Sequence, residues 1–146
     1  MLIVILKARL IRFSYLLLLG LSFCLSGVNV YAAGEADVVK VDARQTAPEI
    51  WRFSVTVLHQ DSGWEKYADG WDVVLPNGSV VKPAPNEEFT RTLWHPHVNE
   101  QPFTRSQGGI KIPASVQSVT VRAHVKPDGF GGKEMRVELK GDQGKR

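Results

Sequence analysis

From Trp51 to Gln60 the chain alternates with a period of two. Trp51, Phe53, Val55, Val57 and His59 fall on one side, and Arg52, Ser54, Thr56, Leu58 and Gln60 on the other. Every second residue shares a side only in an extended strand, and an apolar side means that one face is buried. A strand of that kind cannot stand alone, and the flanking sequence supplies partners. Val38, Val39 and Val41 mark a strand before it, and Trp71–Leu75 one after it. Pro76-Asn77-Gly78 has the residues of a tight hairpin turn, with Ser79–Lys82 as the return. Phe89, Arg91, Leu93 and His95 alternate with Thr90, Thr92 and Trp94. Residues 96–109, with their prolines, glycines and polar side chains, read as a long loop, and 109–112 as a short piece stopped by Pro113. Val116, Val119, Val121, Ala123 and Val125 announce a strong strand, a turn follows over 127–132, and Met135, Val137 and Leu139 close the series. The stretch 62–69 has room for one helical turn and nothing longer.

About seven short strands, punctuated by turn residues every eight to twelve positions, predict an all-β domain. An immunoglobulin- or fibronectin-like β-sandwich over residues 33–140 fits best, with a small β-barrel as the alternative fold and 141–146 as a polar tail.

Ahead of this domain, residues 1–32 follow the grammar of a signal peptide. Lys7, Arg9 and Arg12 precede an apolar run from Phe13 to Leu25, and Val30-Tyr31-Ala32 fits the small-x-small cleavage rule. Cleavage after Ala32 is expected, placing the mature domain in the periplasm or outside the cell with no membrane insertion of its own. An uncleaved anchor over 13–30 would have to carry Ser14, Ser22, Ser26 and Asn29 through the bilayer. A lipid anchor on Cys24 would need a small residue where Phe23 stands.

Cleavage changes the chemistry of what remains. Three of the eighteen basic residues lie in the leader and none of the fifteen acidic ones do, so the mature part is formally neutral. With no basic stripe, binding to nucleic acid is not expected. Cys24 is the only cysteine, so the mature domain has neither disulfide nor thiol chemistry and must be held by its core.

Three groups of residues could carry function. His95-Pro96-His97 is the first: proline keeps the residue before it extended, and residues two apart in an extended chain point to one side. Two imidazoles so placed suit a transition metal, zinc or copper, with Glu100, His59, Asp61 and His124 as completing ligands. The bland reading is a pair of histidines capping carbonyls or packing on Trp94. The second group is aromatic. Trp64 and Tyr67, near Asp69, form a potential platform for a ligand or partner, whereas Trp51 and Trp71 read as core. The third is the Glu100–Ser106 segment, in which Phe103 pins the chain to the core and Arg105 pairs with Glu100 or an aspartate of 69–72. The glycine-rich run at 129–133 is followed by a strand and reads as a turn, since a phosphate cradle needs a helix there. No nucleophile elbow surrounds any serine, and nothing recommends an enzyme.

The block Asp61-Ser-Gly-Trp-Glu-Lys-Tyr-Ala-Asp-Gly-Trp71 and the block Leu93-Trp-His-Pro-His-Val-Asn-Glu-Gln-Pro-Phe-Thr-Arg-Ser106 resemble a family of small secreted bacterial proteins of unassigned function. The resemblance runs over roughly residues 51–140 and implies kinship without implying a reaction. Members tend to carry histidine at the position of Lys66, which would weaken a metal role for the first block here. The His95/His97 pair fits the family pattern. The function expected is that of an exported binding or accessory module. It would capture a metal ion or small ligand where the loop around His95–Arg105 meets the loop Asp61–Asp69. The alternative is a structural domain that docks an envelope protein without metal, and a hydrolase ranks last.

Overall fold

The computed structural model describes residues 35–141. The leader-like segment, Cys24 within it, and 142–146 lie outside the described residues. Among the described residues there is no helix, and nine strands form two antiparallel sheets. The first sheet has the order β1-β2-β6, built from β1 (Asp37–Ala47), β2 (Ile50–Leu58) and β6 (Phe103–Lys111). The second is built on the central pair β3 (Tyr67–Val74) and β7 (Ser118–Lys126). On the far side of β3 lie two short pieces, β4 (Val80–Val81) and β5 (Arg91–Thr92). On the far side of β7 lie β8 (Gly129–Phe130) and β9 (Met135–Glu138). Neither sheet closes on itself, so the domain is a β-sandwich and not the barrel held as its alternative.

The alternation in β2 does what its period requires. Trp51, Phe53, Val55 and Val57 are buried, and they join Trp71, Val73, Val119, Val121, Ala123 and Val125 of the other sheet in one core. The strands number nine rather than about seven because the outer rows of the larger sheet are broken into pieces, three of them two residues long. The hairpin at 76–78 forms as expected: Gly78 adopts φ 85°, its amide donates to the Leu75 carbonyl at 2.9 Å, and Leu75 N donates to the Ser79 carbonyl. The helical turn considered for 62–69 is absent. Instead Gly63 and Lys66 form an isolated bridge around Trp64 and Glu65, and β3 begins at Tyr67.

The long loop expected at 96–109 is a correction of more consequence. It ends at Pro102, and the chain from Phe103 to Lys111 is a full strand paired to β2. Its pattern is hard to recognise because polar residues occupy inward positions. Phe103, Arg105 and Gln107 face Val57, Val55 and Phe53 across the pair, so all share the core side, and a bulge then brings Ile110 opposite Trp51. On the outer side Ser54 and Ser106 share a hydrogen bond of 2.7 Å, and Thr56 and Thr104 one of 2.8 Å. β6 is an edge of its sheet, and inward charge is one way an edge strand is kept from recruiting another chain.

The topology fixes where a site can be. The chain leaves β2 and crosses to the other sheet through 59–66, and returns from β5 to β6 through 93–102. Both crossings lie at the end of the sandwich where Val57 meets Phe103 and Tyr67 meets Lys126.

Candidate functional site

At that end a single buried carboxylate ties the two crossings together. Asp61 faces His59 Nδ1 through Oδ1 at 2.6 Å, accepts the Ala68 amide on the same oxygen at 3.0 Å, and accepts the His97 amide on Oδ2 at 2.7 Å. Its side chain is fully buried. Burial alone would raise its pKa. The hydrogen bonds from His59 and from the amides of His97 and Ala68 outweigh that and hold the carboxyl below its ordinary value. Gln101 completes the tie, accepting the His59 amide at 3.0 Å and donating to the His97 carbonyl at 3.2 Å.

The two histidines of His95-Pro96-His97 have different surroundings. His95 is exposed, whereas His97 is buried and lies flat on Phe103, with ring centroids 3.8 Å apart and planes 10° apart. The His95 ring follows at 4.5 Å from His97. Arg105 donates to His97 Nε2 at 2.9 Å and is itself paired with Glu100 at 3.1 Å. An accepting Nε2 puts the ring proton of neutral His97 on Nδ1, which has no hydrogen-bond partner and stands 3.9 Å from Asp61 Oδ2. Desolvation first, then the positive charge of Arg105 and the neighbouring His95, push the His97 pKa down. Glu100 is pulled down chiefly by its hydrogen bond from Arg105.

Five of the six candidate metal ligands therefore belong to this corner: His59, Asp61, His95, His97 and Glu100. They do not form a ligand set, since no three His, Cys, Asp or Glu side chains among the described residues converge as a metal site needs. The reason lies in the partners. Asp61 is saturated by the backbone and His59, and the guanidinium of Arg105 occupies the His97 nitrogen that a cation would want. His124, the sixth candidate, belongs elsewhere. It pairs opposite Gly70 and meets Asp69 Oδ1 at 2.6 Å, with Phe89 at 5.0 Å and Phe130 at 4.8 Å as ring neighbours. Asp69, expected to act beside Trp64, is thus committed to His124. Among the described residues the hydrogen-bond partners of the three rings are Asp61 for His59, Arg105 for His97 and Asp69 for His124.

The same corner carries an open groove of about 520 Å³, lined by Gly63, Trp64, His95, Pro96, His97, Val98, Asn99 and Glu100. Trp64 sits on the tight turn between Gly63 and Lys66 and is 63% exposed; Val98 is 52% exposed. Tyr67 meets Trp64 edge-on at 5.9 Å, and its own phenol is pushed up by burial and by Asp69 and Asp61. Arg105 pairs with Glu100, not with an aspartate of 69–72. Trp94, 72% exposed, lines a separate depression with Arg91 and Gln107. The roles of Gln101 and Val98 were not legible in the sequence, because a lone amide and a lone valine in a polar segment carry no periodic signal.

No family model matches the chain, and no solved structure matches it. A protein of Halomicrobium mukohataei named "Putative lipoprotein" is 36% identical over 104 residues, which are 71% of this chain and 47% of that protein. The chain thus spans about half the length of this relative.

Proposed function

We propose that this chain works outside the cytoplasm as a binding or accessory module of the cell envelope, capturing its ligand or partner in the groove at the His95-Pro96-His97 corner. Export is supported by the leader-like residues 1–32 and by the relative's name, which is that of a lipoprotein. The observation that carries the binding role is the exposure of Trp64 and Val98 in a groove that is also lined by His97, whose amide is held by Asp61. Exposed apolar side chains gathered in one concavity mark recognition surfaces, and a site already held in place lowers the entropic cost of binding. The two long blocks that resemble small secreted bacterial proteins supply this corner, which fits a common role for such proteins.

A photo-crosslinking amino acid placed at position 64 or 98 of the full chain, in cells, tests this. Adducts are expected from both positions and not from position 44, on the exposed face of β1. Equal labelling from all three, or none from 64 and 98, overturns the reading. The mass of the exported product reports the mature N-terminus: Ala33 after ordinary cleavage, a lipid-modified Cys24 otherwise.

A transition metal at the same corner is the competing reading, favoured by the gathering of His59, His95, His97 and Asp61. It requires Arg105 to leave His97 and the His59–Asp61 contact to open. The aromatic groove needs neither change.

A further inference from the structure

We infer that the groove takes a neutral saccharide, a β-linked chain of glucose or N-acetylglucosamine units, with one pyranose ring laid on the indole of Trp64. This rests on the corner being the binding surface and goes further by naming the ligand's chemistry.

Three observations point there. The first is the platform. Trp64 stands on a two-residue turn pinned by Ser62 N to the Lys66 carbonyl and Lys66 N to the Gly63 carbonyl, and Tyr67 abuts its ring edge-on. An indole held this way offers a flat apolar face without having to be ordered on binding. A pyranose whose hydroxyls are all equatorial presents axial C–H groups as an equally flat apolar face. The second is the polar set. His95, Asn99 and Glu100 line the same groove, supplying an imidazole, an amide and a carboxylate, planar groups that can exchange hydrogen bonds with vicinal hydroxyls. The His95 ring leans at a tilt on His97, which is stacked on Phe103, and Glu100 is held by Arg105, so both are positioned before a ligand arrives. The third is charge. Glu100 is the one carboxylate among the groove-lining residues, and Arg105 already balances it. No lysine or arginine lines the groove, so it holds no permanent cation for a phosphate or a carboxylate, and an uncharged ligand is the better match. An open cleft contacting few sugar rings gives dissociation constants of about a millimolar.

The test uses the exported protein carrying Trp94→Phe, so that Trp64 is the remaining exposed indole; Trp51 and Trp71 are buried. Tryptophan fluorescence and saturation-transfer NMR are recorded with cellohexaose and chitohexaose, each up to about 10 mM. Binding of at least one is expected, with a shift of the Trp64 emission. Trp64→Ala should weaken it more than tenfold, and Asn99→Ala several-fold, both in proteins whose amide spectra otherwise match the parent. A preference for chitohexaose would point to an N-acetylated envelope glycan, and a preference for cellohexaose to a plain glucan outside the cell. No binding of either sugar, or full binding by Trp64→Ala, overturns the inference. If crosslinks still form at positions 64 and 98 while both sugars are silent, the saccharide assignment falls and the corner remains a docking surface.

Discussion

His59 Nδ1 lies 2.6 Å from Asp61 Oδ1, two residues away in the chain, and both side chains are sealed from solvent. The same carboxylate holds the amides of Ala68 and His97, so one short side chain joins the end of β2, the start of β3 and the returning crossing. Removing it would strand three buried donors at once. Asp61→Ala is therefore expected to cost about 3–5 kcal/mol, the range for breaking a buried charged network. Urea unfolding of the two proteins measures this, and a loss below about 1 kcal/mol would show the hub to be dispensable.

Acid should loosen the same corner. His97 has a lowered pKa in the folded state, so below its ordinary value of about 6.5 the unfolded chain takes up a proton that the folded ring resists. Stability is full above that pH and declines as the pH falls toward the lowered folded value. Asp61, also lowered, adds a second decline below its ordinary value of 3.8. Two-dimensional NMR of the imidazole protons should place the His97 titration below that of a free histidine. In Arg105→Met it should move back upward, because the guanidinium beside the ring is gone. An unmoved His97 titration in that variant would remove Arg105 from the account.

Gly70 supports the opposite face of the larger sheet. A Cβ there would fall inside the ring of Phe89, which lies directly on the strand. Gly70→Ala should cost about 1–3 kcal/mol by overpacking. In a Phe89→Ala background the same substitution should cost only a few tenths, giving a coupling that a double-mutant cycle reads directly. Additive effects would mean that the ring moves aside freely.

Titration calorimetry with zinc and copper separates the competing uses of the corner. With Asp61 saturated and His97 Nε2 taken by Arg105, only weak binding through exposed His95 is expected, with dissociation constants above about 10 µM. Sub-micromolar binding abolished by His97→Ala would establish the metal reading instead.

The fold was legible wherever side chains alternate cleanly. β2 and β7 carry an unbroken apolar face, and the turn after Asn77 has a glycine where its positive φ demands one. β6 was hidden because Arg105 and Gln107 occupy inward positions at the sheet edge, where partial burial tolerates polarity that a central strand would not. At the corner, the proline between His95 and His97 correctly marked an extended segment. Nothing local could show that one imidazole would be stacked on Phe103 and the other left in solvent. The exposure of Trp64 was readable from its place in a connecting loop, with Gly63 before it and Glu65 and Lys66 after it. The hub itself was not, since Asp61 gains its meaning from residues 7 and 36 positions away.

That dependence on distant partners makes the groove a reporter of completed folding. Trp64 and His95 become neighbours only after both crossings have closed on Asp61, so no fragment or partly folded chain can present the surface. A ligand of the groove therefore has nothing to hold in the unfolded state. Its binding would appear in full as a rise in melting temperature that grows with ligand concentration.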